Sequence, residues 1–284
     1  MVYIALSVIQ SVLIFITFKL FDRNRIDTLQ AIVVNYLVAS FMGFFLSTTE
    51  WTLQSLPGFS WFNTSLVLGV LFISTFFFFA MAAQKVGVAV TSVASKMSLV
   101  IPVIVSMIFW DESLSWTRAA GILMAISSFY LVFRTKEPFH WNSRLFYLPI
   151  LVFLGNGLVD TTMKFADHHY IENDLVLFLS MVFTTSFLIG ICILVYKIID
   201  RKVEVRFKNI PAGVFLGLIN FGSTFYMLKA ISTFESSVVF PVTNAAIVGL
   251  SGIAGYFGFR EKLSWVNISG IVLAIAAILI IAYN

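Results

Sequence analysis

Charge is scarce in this chain. Asp, Glu, Lys and Arg make up 11% of its 284 residues, where a soluble domain carries about 25%. So little charge excludes a water-clothed globule, because 60% of the residues are hydrophobic and the mean hydropathy is +0.97. Lipid must be the solvent for most of that surface. Cysteine occurs once, as Cys192 in an apolar run, so no disulfide can form within the chain and no redox compartment can be inferred. Histidine occurs three times, at His140 and at His168 with His169, in segments read as loops. None has a metal-ligating partner at useful spacing, and no serine–histidine or paired-carboxylate set lies inside an apolar run. Both facts argue against an intramembrane enzyme. A Gly-x-x-x-x-Gly-Lys-Ser/Thr run is missing too, so direct driving by ATP has no site to work from. No cofactor is implied. Nor is a nucleic-acid partner, since the basic stretch from Lys197 to Lys208 reads as a topogenic loop. Met1-Val2-Tyr3 leads straight into apolar sequence with no basic segment or small-residue cleavage site. Residues 2–21 therefore read as a retained helix and not as a signal peptide.

Long apolar runs are what the chain has in quantity. A helix crossing about 30 Å of hydrocarbon needs about 20 mostly apolar residues. Cutting at the polar clusters gives ten such stretches, over 2–21, 29–48, 63–84, 88–109, 116–134, 145–165, 174–197, 210–231, 236–258 and 265–283. Gly87 separates the third from the fourth, and the Phe234-Glu235-Ser236 turn separates the eighth from the ninth. The expected fold is all-α and integral to the membrane, with ten transmembrane helices.

The chain also repeats itself. Thr17-Phe18-Lys19-Leu20-Phe21-Asp22 returns as Thr162-Met163-Lys164-Phe165-Ala166-Asp167, 145 residues on. Glu112-Ser113-Leu114-Ser115-Trp116, with Gly121-Ile122, returns 149 residues on as Glu261-Lys262-Leu263-Ser264-Trp265 with Gly270-Ile271. About half the chain is one repeat, giving halves at 1–140 and 141–284. Five helices per half is an odd number, so the second half enters the membrane upside down relative to the first, as in transporters built from inverted repeats. Positive charge falls mainly on one side: Arg23, Arg25, Lys85, Arg134, Lys136, Arg144, Lys197, Arg201, Lys202, Arg206, Lys208, Arg260 and Lys262, against Arg118 and Lys229 on the other. By the positive-inside rule both termini face away from the cytoplasm.

Ten helices in two inverted halves, the paired lysines Lys19 and Lys164, and the twice-used Glu-x-Leu-Ser-Trp turn resemble the EamA-like branch of the drug/metabolite transporter superfamily. The resemblance covers essentially the whole chain. It implies a transporter with membrane lipids around it and a small-molecule solute inside it, in the inner (plasma) membrane of a bacterium. Family members are usually described with both termini in the cytoplasm, and the charge distribution here favours the reverse.

The repeated motifs read as architecture. Ser115 and Ser264 stand where an N-cap belongs, Trp116 and Trp265 fall at headgroup level, and Gly121 and Gly270 permit close helix contact. Lys19 and Lys164 lie near helix ends, where their stems can reach water, with Asp22 and Asp167 at hand.

Lys96 is different. It lies mid-span in Ser92-Val93-Ala94-Ser95-Lys96-Met97-Ser98, out of easy reach of either membrane face at about 1.5 Å of rise per residue. A lysine at that depth costs at least ~2.5 kcal/mol, so it is expected to face a water-filled cavity or a counter-charge. The resemblance adds that the fourth and ninth helices line a central cavity, and the repeat partner of Ser95 is Asn244. The bland alternative is a buried ion pair that only holds helices together. Asp160 is the one acidic residue deep in a span, four residues before Lys164. It reads as a counter-ion for Lys96, as a local partner of Lys164, or as a proton-coupling carboxylate with its pKa raised by desolvation.

Gln10 and Ser11, Asn156, Asn220, Ser223 and Tyr226, Thr91, and Thr243 with Asn244 fall on the helices that the resemblance puts round the cavity. Each can bond either solute or a neighbouring helix, at about 0.6 kcal/mol for the latter. Pro102 and Pro241 interrupt the fourth and ninth spans, as static bends or as hinges. The candidate solute-binding set is therefore Lys96, Asp160, Asn156, Asn220, Tyr226, Asn244, Gln10 and Thr91. The expected function is secondary transport of a small polar metabolite bearing a carboxylate or phosphate, by alternating access, with proton or counter-solute coupling left open. An amino-acid or drug exporter of the same fold, or a lipid flippase, is the alternative.

Overall fold

The computed structural model describes residues 1–109, 116–133, 145, 147–169, 175–200, 204–231, 233–234 and 236–282. Among these residues the chain is helical throughout, with no strand. The helices are α1 (Val2–Arg23), α2 (Thr28–Leu46), α3 (Phe62–Lys85), α4 (Val88–Met97), α5 (Val100–Phe109), α6 (Trp116–Phe133), α7 (Tyr147–His169), α8 (Leu175–Ile199), α9 (Asn209–Ile231), α10 (Ser236–Ile253) and α11 (Trp265–Ala282). A helix lies over the body of every expected span. Among the described residues six stretches are long and apolar enough to cross a membrane by length and composition: Val2–Arg23, Thr28–Leu46, Phe62–Lys85, Val88–Val105, Leu175–Ile199 and Asn209–Met227. Large apolar side chains such as Phe41, Phe45, Leu123, Tyr196 and Phe257 point outward, as lipid-facing residues must.

The fourth expected helix, 88–109, is instead two. Pro102 has no N–H to give the carbonyl of Ser98, and its ring crowds that carbonyl. Ser98 O accepts from Ile101 N at 2.9 Å instead, and Leu99 N reaches back to Lys96 O at 3.4 Å. The tightened turn breaks the rod into α4 and α5. A second irregularity ends α10, where Ala254–Gly258 form a π turn.

Two compact units emerge, each drawing on both sequence halves. Unit 1 holds residues 1–20, 78–157 and 222–284; unit 2 holds 21–77 and 158–221. In unit 1, α6 runs along α11, α10 packs on α11 and α4, and α4 touches α6. Val93, Met97, Val132, Val248, Ala274 and Ile278 are buried at the heart of this group. Asn267 in the first turn of α11 donates to Val132 O at 2.7 Å in the last turn of α6, so these two helices are antiparallel. The second copy of the repeated turn caps α11 as its sequence predicts: Asn267 N donates to Ser264 Oγ at 3.3 Å, and Ser264 N to Asn267 Oδ1 at 2.8 Å. Gly270 lies against Val132 N, 2.8 Å from where its Cβ would be, and Trp265 projects outward. Glu112 to Ser115 lie outside the described residues.

In unit 2, α2 and α8 are antiparallel, with Gly43 on Ser180, Ser40 sharing a 2.6 Å hydrogen bond with Thr184, and Val33 on Gly190. Gly69 of α3 sits on Thr185 and the carbonyl of Val182, and Gly217 of α9 sits on Val38 and the carbonyl of Asn35. Shifting one half onto the other by about 147 residues turns Gly43–Ser180 into Gly190–Val33, and Gly69–Val182 into Gly217–Asn35. At one end of this unit Gln30 holds the turn before α9. It donates to Glu204 O at 2.8 Å and accepts from Asn209 Nδ2 at 2.8 Å. Asp27 accepts from Gln30 N at 2.9 Å and so caps α2.

Candidate functional site

Lys96 occupies the last turn of α4, half-buried, beside the break at Ser98 and Leu99. The break matters electrostatically. An unbroken helix interior presents no charge at mid-span, whereas a broken one presents the amide end of its second piece, a place that favours negative charge. Lys96 stands four residues before the start of α5 at Val100. There, however, Ile101 N is already bonded to Ser98 O, Val103 N to Leu99 O, and Pro102 has no N–H, so the lysine is the main attraction for an anion. Ser95, one residue back and buried, accepts from Asn156 Nδ2 of α7 at 3.0 Å. Asn156 and Ser95 are therefore brought together at the level of Lys96. Gly157 lets Ile101 of α5 approach the same stretch of α7 closely.

An apolar cleft of about 320 Å³ flanks the break, lined by Met97, Val100, Ala125, Ile150 and Phe153, with the largely exposed Ile126 and Leu154 at its edge. Its lining is almost wholly hydrocarbon, so it suits an apolar group and not a charged one.

A second polar stripe runs between α1 and α9. Tyr3, Ser7 and Gln10 fall on one face of α1. Tyr3 stacks on Tyr226 with ring centroids 6.4 Å apart, Ser7 Oγ donates to Ser223 O at 2.9 Å, and Gln10 lies against Gly222. Only a residue without a side chain at 222 admits the Gln10 amide so closely. Gln10 Oε1 is buried with no hydrogen-bond partner, a state that costs about 1–3 kcal/mol.

The other candidates have more local roles. Thr91 is fully buried and donates to Gly87 O at 2.6 Å within its own helix. Thr243 bonds back to Val239 O, and Asn244 is half-buried on α10. Asp160 and Asn220 belong to unit 2. Asp160 is exposed on α7, and Asn220 donates to Asn35 Oδ1 at 3.1 Å. Lys19 donates to Gln84 O at 2.8 Å, in the last turn of α3, where a cation also meets the negative end of the helix.

Sequence reasoning passed over Asn35, Tyr36 and Glu261. Asn35 is fully buried and its Nδ2 has no partner, and the neighbouring Tyr36 hydroxyl is likewise buried and unpartnered. The signal was present, as a lone amide in the otherwise apolar run from Ala31 to Val38. Glu261 was visible only as part of a motif. Its carboxylate accepts from Val88 N at 2.6 Å and Ala89 N at 3.2 Å, at the start of α4. Among the described residues no group of three or more His, Cys, Asp or Glu could hold a metal ion.

The sequence profile of the EamA-like transporter family matches residues 145–283, the stretch that forms α7 to α11. Residues 145–283 belong to the EamA-like transporter family. That family is grouped in the drug/metabolite transporter superfamily, and the apolar helices of this chain are those of an integral membrane protein. An uncharacterized protein of Haemophilus influenzae is 24% identical to this chain, over 98% of this chain and 96% of its own length. The EamA-like match is thus to a family of membrane transporters.

Proposed function

We propose that this EamA-like protein is a secondary transporter of a small polar metabolite carrying a carboxylate or phosphate, worked by alternating access between two inverted five-helix halves. Lys96 is the group that receives the anion. The observation that carries this reading is the break after α4, which puts the lysine in the last turn of a helix that ends in mid-span, with Ser95 and Asn156 bonded at the same level. An anion that reaches a cation at mid-span gains more from the pairing than it would in water, because the surroundings are of low dielectric. Binding energy and selectivity then have one source.

Two features support the inverted halves. The antiparallel pairs α2 with α8 and α6 with α11 are the second and fifth helices of the two sequence halves, each lying against its own counterpart. A two-fold axis brings like against like in this way. The glycine contacts of unit 2 also map onto each other under the shift that aligns the sequence motifs. Bonds join the loop before α2 to the turn before α9, and the turn before α4 to the turn before α11. These bonds agree with the grouping of Lys and Arg on one membrane face, which puts both termini on the other.

The test is thermal stability of the purified protein against anionic, zwitterionic and cationic metabolites, on wild type and Lys96→Met. The expected result is that one class of anion raises the melting temperature of wild type and leaves the variant unmoved. A class that stabilises both proteins equally would remove Lys96 from the site.

A further inference from the structure

We propose that Glu261 is the latch of a gate: its carboxylate locks the start of α4 to the turn between α10 and α11, and its release opens the way to Lys96 from that membrane face. The latch rests on the alternating-access reading above, and all its parts lie in unit 1.

The residue before α4 is Gly87, which has no side chain with which to cap that helix. Its φ of +125° is a conformation that glycine adopts freely and other residues rarely do. A Cβ there would sit 2.9 Å from the Glu261 carboxylate. Glu261 supplies the cap from 173 residues away, both oxygens engaged, one on Val88 N at 2.6 Å and the other on Ala89 N at 3.2 Å. A carboxylate facing the amide end of a helix is held by charge as well as by hydrogen bonds.

The segment that delivers Glu261 is itself irregular. It begins with the π turn at Ala254–Gly258, and Gly255 within that turn lies directly against the carboxylate. Glu261 N donates to Gly255 O at 2.9 Å, and Arg260 takes a φ of +54°, in the left-handed region. A π turn and a non-glycine residue at positive φ are both uncommon and cluster where a structure switches. An ordinary cap from the residue preceding α4 would need none of this. The irregular backbone instead ties two turns that belong to different sequence halves, so a movement of α10 and α11 is passed directly to α4, the helix whose last turn holds Lys96.

The experiment places reporter cysteines on a Cys192→Ser background in proteoliposomes, using a membrane-impermeant maleimide applied from one face at a time. Ala89→Cys reports the latch itself, and Ser95→Cys, two turns in, reports the level of Lys96. In Glu261→Ala, both reporters are expected to react about tenfold faster from the face bearing the α10–α11 turn and no faster from the other. Glu261→Gln, which keeps one acceptor oxygen, should fall between. Gly217→Ala, which crowds Val38 and the Asn35 carbonyl in unit 2 and touches neither turn of the latch, controls for loss of stability and should leave both rates unchanged. Faster labelling of Ala89→Cys alone would make Glu261 a cap and nothing more, and overturn the proposal. So would equal acceleration from both faces, or no change. Labelling needs no solute, so failure of Lys96 to bind an anion and failure of the latch are separate outcomes.

Discussion

Glycine to alanine at two positions should shift stability in opposite directions. At Gly217, in α9, a Cβ would stand 2.7 Å from Val38 Cβ and 2.8 Å from the carbonyl oxygen of Asn35. The valine can rotate, but the carbonyl is part of α2 and cannot move without it. Forcing the helices apart costs about 1–3 kcal/mol, and the better helix propensity of alanine returns about 1 kcal/mol. Separation also stretches the 3.1 Å bond from Asn220 to Asn35, worth about 0.5–1.5 kcal/mol. The net loss is about 1–3 kcal/mol. At Gly249, in α10, the nearest atom to a new Cβ is Ile275 Cδ1 at 3.6 Å, ordinary contact, so only the propensity gain of about 0.5–1 kcal/mol remains. At about 2–4 °C per kcal/mol for a chain of this size, Gly217→Ala should melt roughly 5 °C lower than wild type and Gly249→Ala about 2 °C higher. The assay is the fraction of monodisperse protein surviving a heat ramp in one detergent. If both variants move the same way, the close approach of α9 to α2 does not limit stability, and the helix register described above is wrong.

Two further outcomes follow from single contacts. Asn220→Leu strands the already unsatisfied Asn35 amide and should cost about 1–3 kcal/mol. The double change Asn35→Val with Asn220→Phe installs the residues found at the matching places of the other half, Val182 and Phe72, and should recover most of that loss in the same heat ramp. Lys19→Met removes the bond to Gln84 O, so it should lower stability by about 1–2 kcal/mol, with Lys19→Arg restoring part of it.

The helices were legible because the membrane demands apolar runs of fixed length, which local composition displays. The break in the fourth was half legible. Pro102 announced an interruption, but a proline acts on the carbonyl four residues earlier, so the gap fell at Ser98 and gave Lys96 a helix end for company. Asn156 and Asn220 stood out as amides in apolar helices, yet their partners Ser95 and Asn35 lie 61 and 185 residues away, and no local pattern names a partner at such a distance. Thr91 was open to a better reading, since a threonine inside a helix readily bonds the carbonyl four residues back, as it does here. The second Glu-x-Leu-Ser-Trp copy showed its serine's capping role plainly. Its glutamate caps a helix from the other half, which only the folded chain reveals.

The most direct test of the central claim is uptake into proteoliposomes of whichever anion class stabilises the wild-type protein, measured for wild type, Lys96→Met and Lys96→Arg side by side. The account predicts uptake by wild type, at least a tenfold loss in Lys96→Met, and partial retention in Lys96→Arg, where the positive charge survives. Equal uptake by wild type and Lys96→Met would contradict it.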